Sequence, residues 1–250
     1  MSGWSRPPPI GCGLEFHSPW DIVVFVGHIG AGFGLKKVAP RLNLGVLLLA
    51  ALFADLLLWA LIILGVESII VPENFRTGHY FTFDYPYSHS LTATIAWSGL
   101  AGAAVWLLLG AGMQRRLVLA LIAGAAVFSH FVLDFVVHVP DLPLLSNDSA
   151  KLGLGLWRNM PAALALELGI ALAALIVYLR AIRPSRPRTA VAVALVAIAC
   201  LGTAVGPYAA TEPPPPMLQA ASSFVTILIV VAVGFWIDGR VGLTAPEDGT

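Results

Sequence analysis

The sequence predicts an all-α, polytopic membrane helix bundle of about seven transmembrane helices. Three observations lead there. Hydrophobic residues make up 58% of the 250-residue chain and charged residues 11%, with a mean hydropathy of +0.85, whereas a soluble domain carries about 25% charge. The apolar residues fall into runs of the length a membrane helix needs, about 20 residues. The breaks between runs carry helix-stopping or cationic chemistry.

The runs are 21–38, 44–66, 88–113, 117–139, 161–182, 189–205 and 218–237. The first is short and rich in glycine. Lys36-Lys37-Val38-Ala39-Pro40-Arg41 follows it, Gln114-Arg115-Arg116 follows the third, and Arg183-Pro184-Ser185-Arg186-Pro187-Arg188 follows the fifth. The run Glu212–Pro216 is expected to be a loop, because successive prolines lack the N–H groups a helix requires. Residues 1–20 form a Pro/Gly-rich leader and 239–250 a short tail, both expected to be mobile. Between them lies one transmembrane bundle, with a site-bearing part (21–182) and two accessory helices (189–238).

Orientation follows from the cations. Under seven spans, Lys36, Lys37, Arg41, Arg115, Arg116, Arg180, Arg183, Arg186, Arg188 and Arg240 share one side, and Arg6, Arg76, Lys151 and Arg158 the other. Assigning the first set to the cytoplasm puts the N-terminus outside and the C-terminus inside. The acidic Glu67, Glu73, Asp84, Asp141, Asp148 and Glu212 then collect outside. A bacterial-type inner membrane is the expected location, with no signal peptide visible at the N-terminus. Zero formal net charge argues against nucleic acid as a partner. Cys12 and Cys200 lie too far apart in sequence and setting to suggest a disulfide or thiolate site.

The spans contain costly residues. A charge at the bilayer centre costs roughly 2.5–3.5 kcal/mol on insertion scales. Counting from the outer helix ends at 1.5 Å per residue, His28 is about seven residues deep, Asp55 about eleven, His130 about nine, Asp134 about five and Glu167 about six. His89 and His138 sit at the outer mouth. All lie between the midplane and the outer surface, and the inner half is expected to carry no buried ionisable group. His130, Asp134 and His138 are spaced i, i+4, i+8 and share one helix face. Imidazole with carboxylate suits Zn²⁺, Mn²⁺ or Fe²⁺, so His28, Asp55, His89, His130, Asp134 and His138 are the candidate metal ligands. Each has a plainer reading as a structural polar group. His89 and His138 suit wet interfacial histidines, His130 with Asp134 a helix-pairing hydrogen bond, and Glu167 a partner for Arg158 or a histidine.

At these residues the chain resembles the membrane-bound, metal-dependent hydrolase family whose one branch is described as inner-membrane-associated and LexA-binding. The resemblance rests on Gly27-His28, Ala54-Asp55, Ser88-His89-Ser90 and Ser129-His130-Phe131-Val132-Leu133-Asp134, in that order over residues 25–145. The hydrolase it implies is distantly similar in its ligand pattern to zinc-dependent phospholipase C and P1-type nucleases. The family often has a second Asp where this chain has Leu57, and a His where it has Tyr85.

The resemblance implies a divalent-metal hydrolase, zinc first, with manganese or iron as alternatives. The expected substrate is a lipid-borne ester, a phosphoester before others, with membrane lipid as substrate or solvent. Asp55 or Glu167 is the expected general base, and Arg158 the expected phosphate anchor beside Trp157, itself read as an interfacial anchor. Ser88 and Ser90 are expected donors to the ligands. The alternatives are an ion or proton transporter, or a non-catalytic metal- or haem-binding membrane protein. Sequence leaves the oligomeric state open.

Overall fold

The computed structural model describes residues 26–109, 115–209 and 212–239. The leader, with Cys12 and His17, lies outside them, as do Arg240 and nearly all of the tail. The chain is mostly helical. In order it forms α1 (Val26–Leu35), α2 (Leu44–Ala51), α3 (Phe53–Ile63), β1 (Ser68–Ile70), α4 (Phe75–Gly78), β2 (Thr82–Asp84), α5 (Leu91–Leu108), α6 (Arg116–Val137), β3 (Leu142–Pro143), β4 (Lys151–Leu152), α7 (Met160–Ile182), α8 (Arg186–Ala209) and α9 (Pro216–Ile237), with a 3₁₀ turn at Leu156–Asn159 before α7.

Five helices, α5 to α9, are long and apolar enough to cross a membrane, or six spans result if α2 and α3 count as one. The protein is therefore a multi-pass membrane protein. Its surface agrees: Leu107, Leu108, Leu121, Ile198 and Leu201 are each at least 60% exposed, an apolar surface that water would not tolerate and lipid would. α1 shows ten helical residues among those described, short of the length a span needs.

The predicted second span is not one helix. It breaks at Leu52 and bends by 57° between α2 and α3. Neither Gly nor Pro stands at the break. A side chain from a neighbouring helix is inserted there instead: the His130 ring bonds the Ala51 carbonyl, one of the recognised causes of a kink. The break also brings Asp55 into the first turn of α3, where a helix N-terminus favours negative charge.

Two further departures from the all-α expectation lie in the long connections. β1 and β2 pair antiparallel with Ile69 opposite Phe83, and β3 pairs with β4. Both ribbons lie at the end of the bundle where α3 ends and α5 begins. The second ribbon clamps the end of α6, because Leu154 N–H donates to Phe135 O and Gly155 N–H to His138 O. Those carbonyls lack intrahelical partners. Gly153, at φ +139°, sits so close to the His138 and Val139 carbonyls that a Cβ would clash.

α1 is wedged against α7, with α2 and α6 beside it. The approach to α7 is close because Gly30 leaves room: an added Cβ would lie 2.9 Å from the Ala171 Cα. Small residues serve membrane helices in this way. α9 packs on α2 and α3, so the last helices belong to the body of the bundle. The prolines at their starts corrected two sequence boundaries. Pro216 begins α9 and Pro187 falls in the first turn of α8, where a missing N–H costs nothing.

The opposite end of the bundle holds a surprise. Lys36, expected as a cytoplasmic loop cation, is 1% exposed and pairs with Asp238 at 2.5 Å. The expectation that no ionisable group is buried towards that end fails here.

Candidate metal centre

Asp134, on α6 and 2% exposed, is the hub of the polar cluster. Its Oδ1 faces His28 Nε2 at 3.1 Å and His138 Nε2 at 3.8 Å. Its Oδ2 faces His130 Nε2 at 3.2 Å and His89 Nε2 at 3.5 Å. Asp55 Oδ1 approaches the second pair, 3.6 Å from His89 Nε2 and 3.7 Å from His130 Nε2. The six residues named as ligands from sequence therefore meet in one place, from α1, α3, the start of α5 and α6. The i, i+4 spacing of His130 and Asp134 reads as expected from the helix repeat.

The outer nitrogens decide the chemistry. His130 Nδ1 lies 2.8 Å from the Ala51 carbonyl, which can only accept, so Nδ1 carries the proton. His89 Nδ1 lies 2.8 Å from Ser88 Oγ. That hydroxyl donates its one proton to Glu67 Oε2 at 2.7 Å, so it accepts from His89 Nδ1–H. His138 Nδ1 faces Asp141 Oδ1 at 3.0 Å and the Tyr85 hydroxyl at 3.2 Å. In each neutral ring the hydrogen bond at Nδ1 leaves Nε2 as a bare lone pair. This is the arrangement by which proteins aim histidines at metals.

Donor atoms crowd together here. His89 Nε2 and His130 Nε2 are 3.2 Å apart, beside the Asp134 and Asp55 carboxylates. Asp134 Oδ2 is buried and makes no hydrogen bond of standard geometry among the described residues. Zinc–ligand bonds of 2.0–2.1 Å imply donor separations of about 3.3 Å in a tetrahedron. Taking His89, His130, Asp134 Oδ2 and Asp55 Oδ1 as corners, five of the six edges measure 3.2–3.7 Å. The donor set and its spacing fit a divalent ion. Two groups of three, His28–His130–Asp134 and Asp55–His89–His130, each bring their donor atoms within 4.8 Å of one another.

Glu67 anchors the layer behind the ligands. Its Oε1 accepts from the Tyr87 and Ser88 backbone N–H groups while Oε2 takes the Ser88 hydroxyl. Sequence reasoning counted Glu67 and Asp141 only as loop acids. Asp141 had a signal, its place three residues after His138. Glu67 had none, because its partners lie 20 residues on and meet it only through the first ribbon. Ser88 does touch a ligand, but it accepts from His89 Nδ1–H rather than donating as expected, because its own proton goes to Glu67. Ser90 instead caps α5, accepting from Ala93 N–H and donating to Pro86 O.

Tyr85, which stands where the resembled family often has histidine, is fully buried, with its ring 4.9 Å from His89. Burial, with the Asp141 and Asp134 carboxylates near it, pushes its phenol well above the usual range, so it stays a protonated hydroxyl. Trp157 is not an interfacial anchor: it is buried, with its ring 3.8 Å from that of His138.

Glu167 lies behind His28. Its Oε2 accepts from Gly27 N–H on α1 at 2.7 Å. A Cβ at position 27 would meet that carboxylate at 2.6 Å and displace it. Arg158 is exposed on a ledge shared with Asp141, Lys151 and Asp84. It does not line the cavity over the ligands.

That cavity is narrow, about 40 Å³, room for very few water molecules. Asp55, His89, Asp134 and His138 form its polar side; Trp59, Tyr80, Phe83 and Trp157 contribute aromatic walls. Pro207 of α8 and Gln219 of α9 also line it. The helices expected to be accessory thus reach the site. His79, given no role from sequence, lines the same cavity with its ring 4.9 Å from that of Tyr208.

No protein-family model matches the chain, and no curated protein or solved structure matches it either.

Proposed function

We propose that the protein is an integral membrane metal-dependent hydrolase acting on a lipid-borne ester, with a phosphoester as the favoured substrate. The observation that carries this is the pair of imidazole Nε2 atoms, 3.2 Å apart, that face each other between the carboxylates of Asp134 and Asp55. The reading includes seven spans, counting α1 and the bent α2–α3 pair. It places the N-terminus outside and the ribbon end on the periplasmic or extracellular side of a bacterial-type inner membrane. The ten-to-four division of Lys and Arg between the two sides supports that orientation.

His89, His130 and Asp134 would hold the ion, zinc before manganese or iron. When bound, the ion supplies Lewis-acid polarisation of the ester and a water acidic enough to act near neutral pH. Asp55 is 17% exposed and lines the cavity, the most open carboxylate of the cluster. It is the residue placed to take a proton from water, leaving three protein donors, as catalytic sites do. Glu167, engaged with the start of α1, orients His28 instead. Glu67, Ser88, Asp141 and the Ala51 carbonyl hold the imidazoles. Arg158 offers a cation to a lipid phosphate at the rim. A haem between His28 and His130 is disfavoured, because their ring centroids are 4.0 Å apart.

Elemental analysis of purified wild type beside His130→Ala/Asp134→Ala tests the reading. Stoichiometric transition metal in the wild type and none in the variant is expected, followed by turnover on a lipid phosphoester panel. A metal-free wild type after gentle extraction sinks the proposal.

A further inference from the structure

α8 and α9 run antiparallel and touch sparingly along much of their length. Towards the ribbon end they present Pro207 and Gln219 to the cavity over the metal ligands. Further along the same two helices a groove of about 360 Å³ opens, lined by Ile198, Gly202, Thr226, Ile229 and Val233. Gly202 is five residues from Pro207 and Thr226 seven from Gln219, about 7–11 Å along a helix. The groove and the cavity therefore lie in line on one helix pair. The groove is almost wholly apolar and faces the lipid region. Its cavity end carries one polar mark. Gln219 is 2% exposed, its Nε2 donates to Ser223 Oγ at 2.9 Å, and its Oε1 is buried with no hydrogen-bond partner among the described residues. Such an acceptor is costly unless something donates to it.

We propose that the α8–α9 groove holds one acyl chain of a membrane lipid, with Gln219 accepting a hydrogen bond from a hydroxyl or N–H group in that lipid's polar part. This rests on the hydrolase reading and names its substrate: an ester lipid whose head group bears a donor, reached sideways from the bilayer. The fit follows from order along the helices. The apolar stretch lies deep, the acceptor lies at the junction, and the carboxylates and imidazoles lie beyond it. A second crevice of about 630 Å³ lies between α5 and α6, with Ser98, Gly102 and Trp106 among its walls; like the groove it shares no residue with the cavity, and it serves as the comparison.

The test uses the full chain in phosphatidylethanolamine–phosphatidylglycerol vesicles doped with a phosphatidylethanolamine carrying a diazirine near the end of one acyl chain. After irradiation, labelled peptides are mapped. Label concentrated at Ile198–Gly202 and Thr226–Ile229, and competed by unlabelled phosphatidylethanolamine, is expected. Gly202→Trp should abolish that label and leave the α5–α6 label unchanged. Position 202 has open space around an added Cβ, so the larger side chain fills the groove without a backbone clash. Gln219→Leu should raise the probe needed for half-saturation about fivefold, the worth of one net hydrogen bond. Label spread evenly over both crevices, or unmoved by Gly202→Trp, overturns the inference; so does an unchanged half-saturation in Gln219→Leu. Metal content of the same samples separates the two readings. Metal present with even label overturns the groove alone, and focused label without metal overturns the hydrolase alone.

Discussion

The two ends of the bundle both bury charge, and they do so in opposite ways. At the Lys36 end, the ammonium donates to Asp238 Oδ2, the Pro40 carbonyl and the Leu42 carbonyl. That uses all three of its protons. Asp238 Oδ2 also takes Leu44 N–H. Donors and acceptors balance, and the network ties the start of α2 to the end of α9. At the ribbon end, acceptors outnumber donors. The imidazoles spend their protons outward, on Ala51, Ser88 and Asp141, and turn lone pairs towards Asp134 and Asp55. A closed ion pair needs nothing more. The crowded Nε2 atoms are where the proposed cation would sit. The difference separates a structural fastener from a candidate cation site, although both would read from sequence as buried charge.

The largest expected effect falls on the ribbon end. His130→Ala or Asp134→Ala should remove bound metal completely, read by elemental analysis, while the protein still folds. Lys36→Met should do the reverse. Leaving Asp238 buried and unpaired costs about 3–5 kcal/mol, measured as loss of unfolding free energy in detergent, with metal content unchanged. If Lys36→Met sheds metal, or His130→Ala unfolds the chain, the two networks are not separable as described.

Chelation sharpens the contrast further. Stripping an ion present at about a thousand times its Kd should lower wild-type stability by about 4 kcal/mol, and should leave His130→Ala unmoved. Smaller again is the effect of the supporting layer. Glu67→Gln or Ser88→Ala should weaken metal affinity about 10–100-fold, read by competition with a fluorescent chelator. Asp238→Asn should not change it.

Much of the site was legible because its signals are local. His130 and Asp134 stand one turn apart, and each intramembrane polar residue is conspicuous against an apolar run. Burial of Gly27 against Glu167, by contrast, joins residues 140 positions apart. The same limit hid Glu67, the bend at Leu52 and the burial of Lys36. Lys36 looks like any loop cation until Asp238, 202 residues away, folds back onto it. Trp157 was misread for the same reason: an indole at a helix end suits an interface, and only the second ribbon turns it inward onto His138.

The amino-acid sequence by itself determined that the chain lives in a membrane, roughly where its long later helices run, and which histidines and aspartates are costly to place there. Those follow from composition and from the 3.6-residue repeat, which act over short stretches of chain. Tertiary structure alone decided which nitrogen of His89, His130 and His138 faces the cluster, that a broken helix supplies the carbonyl orienting His130, and that α8 and α9 reach the site. These depend on long-range hydrogen bonds and close backbone approaches, which no local pattern encodes.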